Sequence, residues 1–249
     1  MRSATVAVGA AGTRFPWAPT SAAVEICASS RTSSCSSPSR SRSCGSPAAR
    51  SAVSSASSRS SSDPLANARH AAAARILEAV IAVEAANPVV LIDGRSGSGK
   101  STLARELVQR WPLRGRVQLV GLDAIYPGWD GLDEGVRTAT DTILNAHARG
   151  FIGVWERWDW AASQHAEAHA VDPALPLIVE GSGILTPVTA RLADVRVWLE
   201  SPTASRKSRA LARDGETFRP HWTRWAEQEE RHLTRDDPRA HATLTFEIP

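Results

Sequence analysis

The sequence predicts an α/β domain with a parallel sheet of about five strands, helices on both faces and a small arginine-bearing lid. Three observations predict it. Short apolar runs at residues 89–93, 117–123, 177–181 and 195–200 alternate with stretches of helical periodicity, the pattern of βαβ units. A glycine-rich stretch at residues 94–101 joins the first run to the first of those helices after it. Asp93, Asp123 and Glu180 sit at the ends of the first three of these runs, and open parallel sheets gather ligands at the carboxyl ends of their strands.

The elements follow in order. Residues 65–86 are alanine-rich, with Ile76, Leu77, Val80, Ile81 and Val83 forming a broad apolar face, which predicts a helix. Val89-Val90-Leu91-Ile92-Asp93 reads as a buried parallel strand. Leu103, Leu107 and Trp111 recur at helical spacing after the glycine stretch. Residues 117–123 form a second strand, and Pro127-Gly128 with Gly131 mark a loop. A helix is expected over 136–147. Over residues 154–160, Trp155, Arg157 and Asp159 alternate with Glu156, Trp158 and Trp160, which suits an edge strand or hairpin. Strands at 177–181 and 195–200, helices at 203–214 and 222–233 and a last strand at 243–248 complete the domain.

Gly94-Arg95-Ser96-Gly97-Ser98-Gly99-Lys100-Ser101, followed by Thr102, is a complete G-x-x-x-x-G-K-[ST] phosphate loop in the strand–loop–helix context of a P-loop NTPase. Glycines let the backbone wrap phosphate oxygens without Cβ clashes, and successive N–H groups at the start of the helix hold the anion. Residues 94–102 are therefore the expected ATP cradle. Lys100 is expected to reach the β- and γ-phosphates and Ser101 to ligate Mg²⁺.

Asp93 directly precedes the loop and reads as a turn cap. Asp123 and Glu180 are the candidate working acids, because phosphoryl transfer needs one acid to orient the acceptor hydroxyl and one to support the magnesium shell or the substrate. Arg206, Arg209 and Arg213 share one helix face at i, i+3, i+7; Asp214-Gly215 ends that helix and Arg219 follows in a loop. Arg209 and Arg213 are expected to close over the transferred group. The chain has nine tryptophans, eight of them beyond residue 62. Trp129 or Trp158 could line an acceptor pocket, as could Tyr126, the only tyrosine, three residues after Asp123. Arg157 and Asp159, set among Trp155, Trp158 and Trp160, are further acceptor-contact candidates.

Composition divides the chain. Residues 1–62 hold twenty serines, seven arginines and one acid, Glu25, so they carry +6 against a chain total of +3, leaving −3 on residues 63–249. The first segment is too poor in apolar residues to offset the cost of ordering it and is expected to be disordered. Its composition suits an over-called translation start, with an organelle transit segment as the alternative. Residues 63–249 are slightly acidic, which gives no reason to expect a nucleic-acid partner. No apolar run is long enough to span a bilayer. All three cysteines, Cys27, Cys35 and Cys44, precede residue 63, and a cysteine-free domain suits a reducing cytoplasm. With Lys100 and Lys207 the only lysines, no Asn-Lys-x-Asp base reader exists, which excludes a GTPase switch; a Leu-Ser-Gly-Gly-Gln transporter signature is also absent.

Asp123-Ala124-Ile125-Tyr126 resembles the Asp-x-Phe-Tyr motif of uridine kinases. Trp158-Asp159-Trp160 resembles that family's Tyr-Asp-Phe segment, residues 177–181 its apolar strand ending in Glu-Gly, and residues 206–214 its arginine-bearing lid. The resemblance spans about residues 88–235 and implies that Asp123 accepts the acceptor hydroxyl's proton and Tyr126 lines a nucleoside pocket. The family's Asp-His-Pro segment has no counterpart; Tyr126-Pro127-Gly128-Trp129-Asp130-Gly131 stands there, which implies an altered acceptor site. The expected function is ATP- and Mg²⁺-dependent phosphorylation of a small-molecule hydroxyl, most readily a nucleoside's. A kinase of another acceptor (a sugar acid or drug-type molecule) and a non-catalytic nucleotide-binding module are the alternatives.

Overall fold

Five parallel strands form the sheet in the order β2 (Gln118–Gly121), β5 (Leu177–Glu180), β1 (Val89–Gly94), β6 (Val195–Glu200) and β7 (Leu244–Glu247). They belong to a computed structural model that describes residues 63–249; the expected disorder and origin of residues 1–62 lie outside the described residues. The strands bury alternate residues on opposite faces, as a pleated ribbon must. Leu91, Val120, Leu177 and Val179 enter one core with Leu122, Tyr126, Leu132, Ile143 and Trp225. Val90, Ile92, Ile178, Val195 and Val197 enter the other, against Ile76, Leu77 and Val80 of α1 (Pro64–Ala82) and Leu103 and Leu107 of α2 (Lys100–Gln109). Coverage on both faces explains why β1 and β5 read as unbroken apolar runs.

β1 is central. The chain leaves it for β2, returns to β5 beside it, then crosses to β6 and β7 on its other side. The reversal of direction opens a crevice at the carboxyl ends of β1 and β5, where the phosphate loop and Glu180 lie. This is the α/β P-loop NTPase arrangement that the sequence predicts.

Differences from the sequence reading are local. The second strand stops at Gly121, and Leu122–Ala124 form a 3₁₀ turn that lifts Asp123 off the strand end. The helix expected from residue 136 starts earlier: α3 (Leu132–Thr138) passes through a π turn at Ala139–Leu144 into α4 (Asn145–Ala148). In that region the hydroxyls of Thr140 and Thr142 donate to the carbonyls of Val136 and Thr138, at 2.7 and 2.8 Å, and compete with the helical N–H donors. β3 (Gly153–Asp159) pairs antiparallel with β4 (Gln164–Val171) in a hairpin separate from the main sheet. α5 (Thr203–Phe218) does not end at Asp214. It continues across a kink at Gly215, whose φ of 57° and ψ of −135° are accessible essentially only to glycine. α6 (Trp222–Asp236) and α7 (Pro238–His241) lead to β7. No helix among the described residues is long and apolar enough to cross a membrane.

Candidate functional site

The phosphate loop takes its shape from close packing against α5. Gly97 has φ of 79°, and a Cβ there would stand 2.1 Å from the Arg206 carbonyl oxygen, so only glycine lets the helix approach. Arg206, 2% exposed, donates from Nη1 to the Ser96 carbonyl at 3.1 Å and from Nε to the Ser201 carbonyl at 3.1 Å. Arg209 Nε donates to the Gly97 carbonyl at 2.8 Å, and its other nitrogens bond Ser201 Oγ and the Pro249 carbonyl. The first half of α5 is thus bolted to the loop by Arg206 and Arg209, both on the predicted face.

One cleft opens beside this loop. It is lined by Ser96, Gly97, Gly99, Lys100, Ser101 and Thr102 of the loop and the start of α2, by Asp123, Tyr126, Trp129, Trp160, Phe218 and Trp225, and by Arg209, Arg213 and Asp214 of α5. α2 begins at Lys100 without a side-chain cap, which leaves the N–H groups of its first turn open to an anion. Lys100 Nζ folds back onto the loop, donating to the Gly94 carbonyl at 2.6 Å, the Arg95 carbonyl at 3.3 Å and Ser182 Oγ at 3.2 Å. These features fit a nucleotide polyphosphate. Ser98 is fully buried, its hydroxyl without a hydrogen-bond partner among the described residues. Arg95 turns to α6, pairing with Glu229 at 3.1 Å and Glu230 at 2.9 Å.

The acids divide by surroundings. Asp93 is buried and accepts from the N–H groups of Gly94 (2.6 Å), Gly183 (2.9 Å) and Leu185 (2.8 Å), so it fixes the loop after β5. Glu180 is also buried. Burial, then the neighbouring Asp123 charge, pushes its carboxyl up to about 7 against the pull of Lys100, the Ser101 hydroxyl and Arg213. A hydroxyl and one or two carboxylates suit Mg²⁺, which keeps waters and substrate phosphates in the rest of its shell. Asp123 lines the cleft, and its carbonyl accepts the Trp160 indole N–H at 2.8 Å. Arg213 pairs with both oxygens of Asp214, at 2.8 and 2.7 Å. Burial opposes its charge, but Asp214, Asp123 and Glu180 outweigh that and raise its pKa.

Much of the remaining lining is aromatic. Trp129 stacks on His221 with centroids 4.4 Å apart and on Phe218 at 5.5 Å, and Trp160 tilts against it at 4.8 Å. Tyr126 lines the cleft with its ring, but its hydroxyl donates to the Ser182 carbonyl at 2.7 Å. Burial, followed by the charges of Asp123, Asp93, Glu180 and Glu229, raises this phenol well above its ordinary pKa, so it stays a neutral donor.

The structure does not bring every expected residue to the cleft. Arg157 is engaged within the hairpin, bonding both oxygens of Glu167 at 2.7 and 3.0 Å, and Asp159 accepts from the N–H groups of Ala161 and Ala162 to shape the hairpin turn. Neither lines the cleft, and nor does Trp158, which packs edge-on to His165. The alternating pattern identified the strand but not the partner that would occupy these side chains. Conversely, Ser182, Asp214, Phe218 and Trp225 line the cleft without having been singled out. Trp225, Gln228, Glu229 and His232 fall at i, i+3, i+4, i+7, the one sequence signal that α6 faces inward.

No family model matches the sequence, and no curated protein matches it significantly. Among solved structures, a protein of Bacillus stearothermophilus described as a possible uridine kinase superposes with a TM-score of 0.54 at 19% identity, covering 71% of this chain and 98% of its own. A protein of Silicibacter sp. TM1040 provisionally named a fructose transport system kinase gives a TM-score of 0.46 at 21% identity, covering 70% and 98%. At these identities the first likeness establishes the fold.

Proposed function

We propose that this chain is an ATP- and Mg²⁺-dependent kinase that phosphorylates a hydroxyl of a small molecule, with nucleosides as the acceptor class. The observation that carries the reading is the cleft whose lining combines the phosphate loop, Lys100 and Ser101 with Asp123 and the rings of Trp129, Trp160 and Phe218. A module that only binds nucleotide has no use for an acid and an aromatic box opposite its loop. The flat rings of Trp129, Trp160 and Phe218 suit a planar base.

In this reading the N–H groups of residues 97–102 and the Lys100 ammonium hold the β- and γ-phosphates. Ser101 and Glu180 would hold Mg²⁺, which neutralises charge on the phosphate oxygens. Asp123 orients the acceptor hydroxyl and takes its proton as that oxygen attacks the γ-phosphorus; the bond to the β–γ bridging oxygen breaks and ADP leaves. Arg213, beside Asp123 and Glu180, and Arg209 at the loop supply positive charge to the transferring group. The low-identity likeness to a possible uridine kinase supports this reading without fixing the acceptor.

The test is ADP release with Mg-ATP against a panel of nucleosides, sugars and small alcohols, with Lys100→Ala as the blank. Release dependent on a nucleoside upholds the reading. Release dependent only on a sugar or alcohol retains the kinase and replaces the acceptor class, and ATP binding with no acceptor-dependent release leaves a binding module.

A further inference from the structure

α6 carries a buried polar stripe that phosphate binding and proton transfer leave unused. Gln228 donates to the Trp129 carbonyl at 2.7 Å, and His232 meets Asp93 at 3.1 Å. Between them Glu229, 2% exposed, sends Oε1 to the Ser96 N–H at 2.6 Å and to the Ser182 hydroxyl at 3.1 Å, and Oε2 to Arg95 Nε at 3.1 Å. A buried carboxylate beside a loop built for anions opposes the ligand by charge alone. Its contacts offer a reason for it. Ser182 Oγ is also an acceptor for Lys100 Nζ, at 3.2 Å, so a continuous path runs from Glu229 through one hydroxyl to the ammonium. The Ser182 proton has two destinations, Glu229 and the Gly94 carbonyl at 3.2 Å, and the carboxylate is the stronger acceptor. With the proton turned to Glu229, the oxygen lone pairs are left for Lys100.

We propose that Glu229 is a positioning residue for Lys100: through the Ser182 hydroxyl and the Ser96 amide it holds the phosphate loop and its ammonium in the geometry that receives a nucleotide. The proposal rests on the reading that this cleft binds ATP. Charge and positioning predict opposite signs for Glu229→Gln, a near-isosteric change. Loss of a repelling charge tightens anion binding; loss of the positioning network weakens it.

The experiment is calorimetric titration of the full chain with Mg-ATP for wild type, Glu229→Gln, Ser182→Ala and the double variant, with a thermal melt of each. The expected result is roughly tenfold weaker binding for Glu229→Gln and severalfold weaker for Ser182→Ala. The double variant should be no weaker than Glu229→Gln alone, because residues in one network are not additive. A residue that merely stabilised the fold would lower the melting temperature and leave the affinity of the folded protein unchanged. Unchanged or tighter binding by Glu229→Gln overturns the proposal while the nucleotide reading stands. Should Glu229→Gln fail to fold, Ser182→Ala decides alone, wild-type affinity overturning the proposal and weaker affinity sustaining it. Wild-type protein that binds no Mg-ATP overturns the nucleotide reading and this proposal with it.

Discussion

The Trp160 indole N–H donates to the backbone carbonyl of Asp123 across 2.8 Å. The β3–β4 hairpin shares no strand pairing with the main sheet, so this bond latches its turn to the segment bearing the acceptor-side acid. Trp160→Phe keeps an aromatic ring and removes the donor. A neutral hydrogen bond contributes about 0.5–1.5 kcal/mol, so kcat/KM for the acceptor should fall roughly three- to tenfold. Steady-state kinetics with acceptor and ATP each varied in turn measures this, and an equal rise in the KM for ATP would show that the latch serves the loop instead.

Asp123→Asn retains shape and removes the proposed base. Turnover should drop roughly a hundredfold or more, with Mg-ATP affinity near that of wild type. Lys100→Ala should abolish transfer. Rapid-quench kinetics with the best acceptor separates the two, and unchanged single-turnover rates in Asp123→Asn would remove its assigned role.

Gly97→Ala should be severe. The new Cβ would meet the Arg206 carbonyl at 2.1 Å and force a φ that L residues rarely adopt, so α5 must leave the loop. We expect a loss of stability of about 2 kcal/mol or more, together with loss of ATP binding. Thermal melts and nucleotide titration check both; a variant that folds and binds normally would show that the loop tolerates separation from α5.

His232 sets a pH dependence. Burial disfavours its charge, but Asp93 at 3.1 Å and Asp236 at 2.9 Å outweigh that, and its pKa is raised above 6.5. A raised folded pKa means that the folded state holds the proton more tightly than the unfolded chain. The stabilisation is therefore complete below about pH 6.5 and is lost as pH rises through the folded value. Glu180, raised from 4.5 to about 7, has the same sign between those values, so wild type alone cannot separate the two groups. The difference in melting temperature between wild type and His232→Asn, followed from pH 5.5 to 9, should shrink as pH rises; a constant difference would assign His232 a packing role only.

The middle of the sheet was legible because β1 and β5 are buried on both faces and keep unbroken apolar runs, at residues 89–93 and 177–181. β4 was not, because Gln164–Val171 alternates alanine with His165, Glu167 and His169 and is largely exposed. The nucleotide side of the cleft was readable because its chemistry is compressed into eight consecutive residues. Its supports were not. Glu229 and His232 lie among Glu227, Glu230 and Arg231, and only their spacing from Trp225 sets them apart in sequence from a solvated face that their burial rules out. Arg206 shared its spacing with Arg209 and Arg213, yet packing commits it to backbone carbonyls. Arg157 and Asp159 failed to reach the cleft for the converse reason, since β4 and the hairpin turn satisfy them locally.

The kink at Gly215 divides one helix between two tasks. Before it, Arg206 and Arg209 grip the phosphate loop; after it, Phe218 covers Trp129. In the proposed reading, the parts facing the donor are fixed to the loop, whereas those lining the acceptor pocket include segments outside the sheet: the loop at Trp129, the hairpin at Trp160 and the far half of α5. Such a division makes the acceptor wall an interchangeable fitting. An engineer could exchange those three segments to retune what receives the phosphoryl group while leaving untouched the machinery that delivers it.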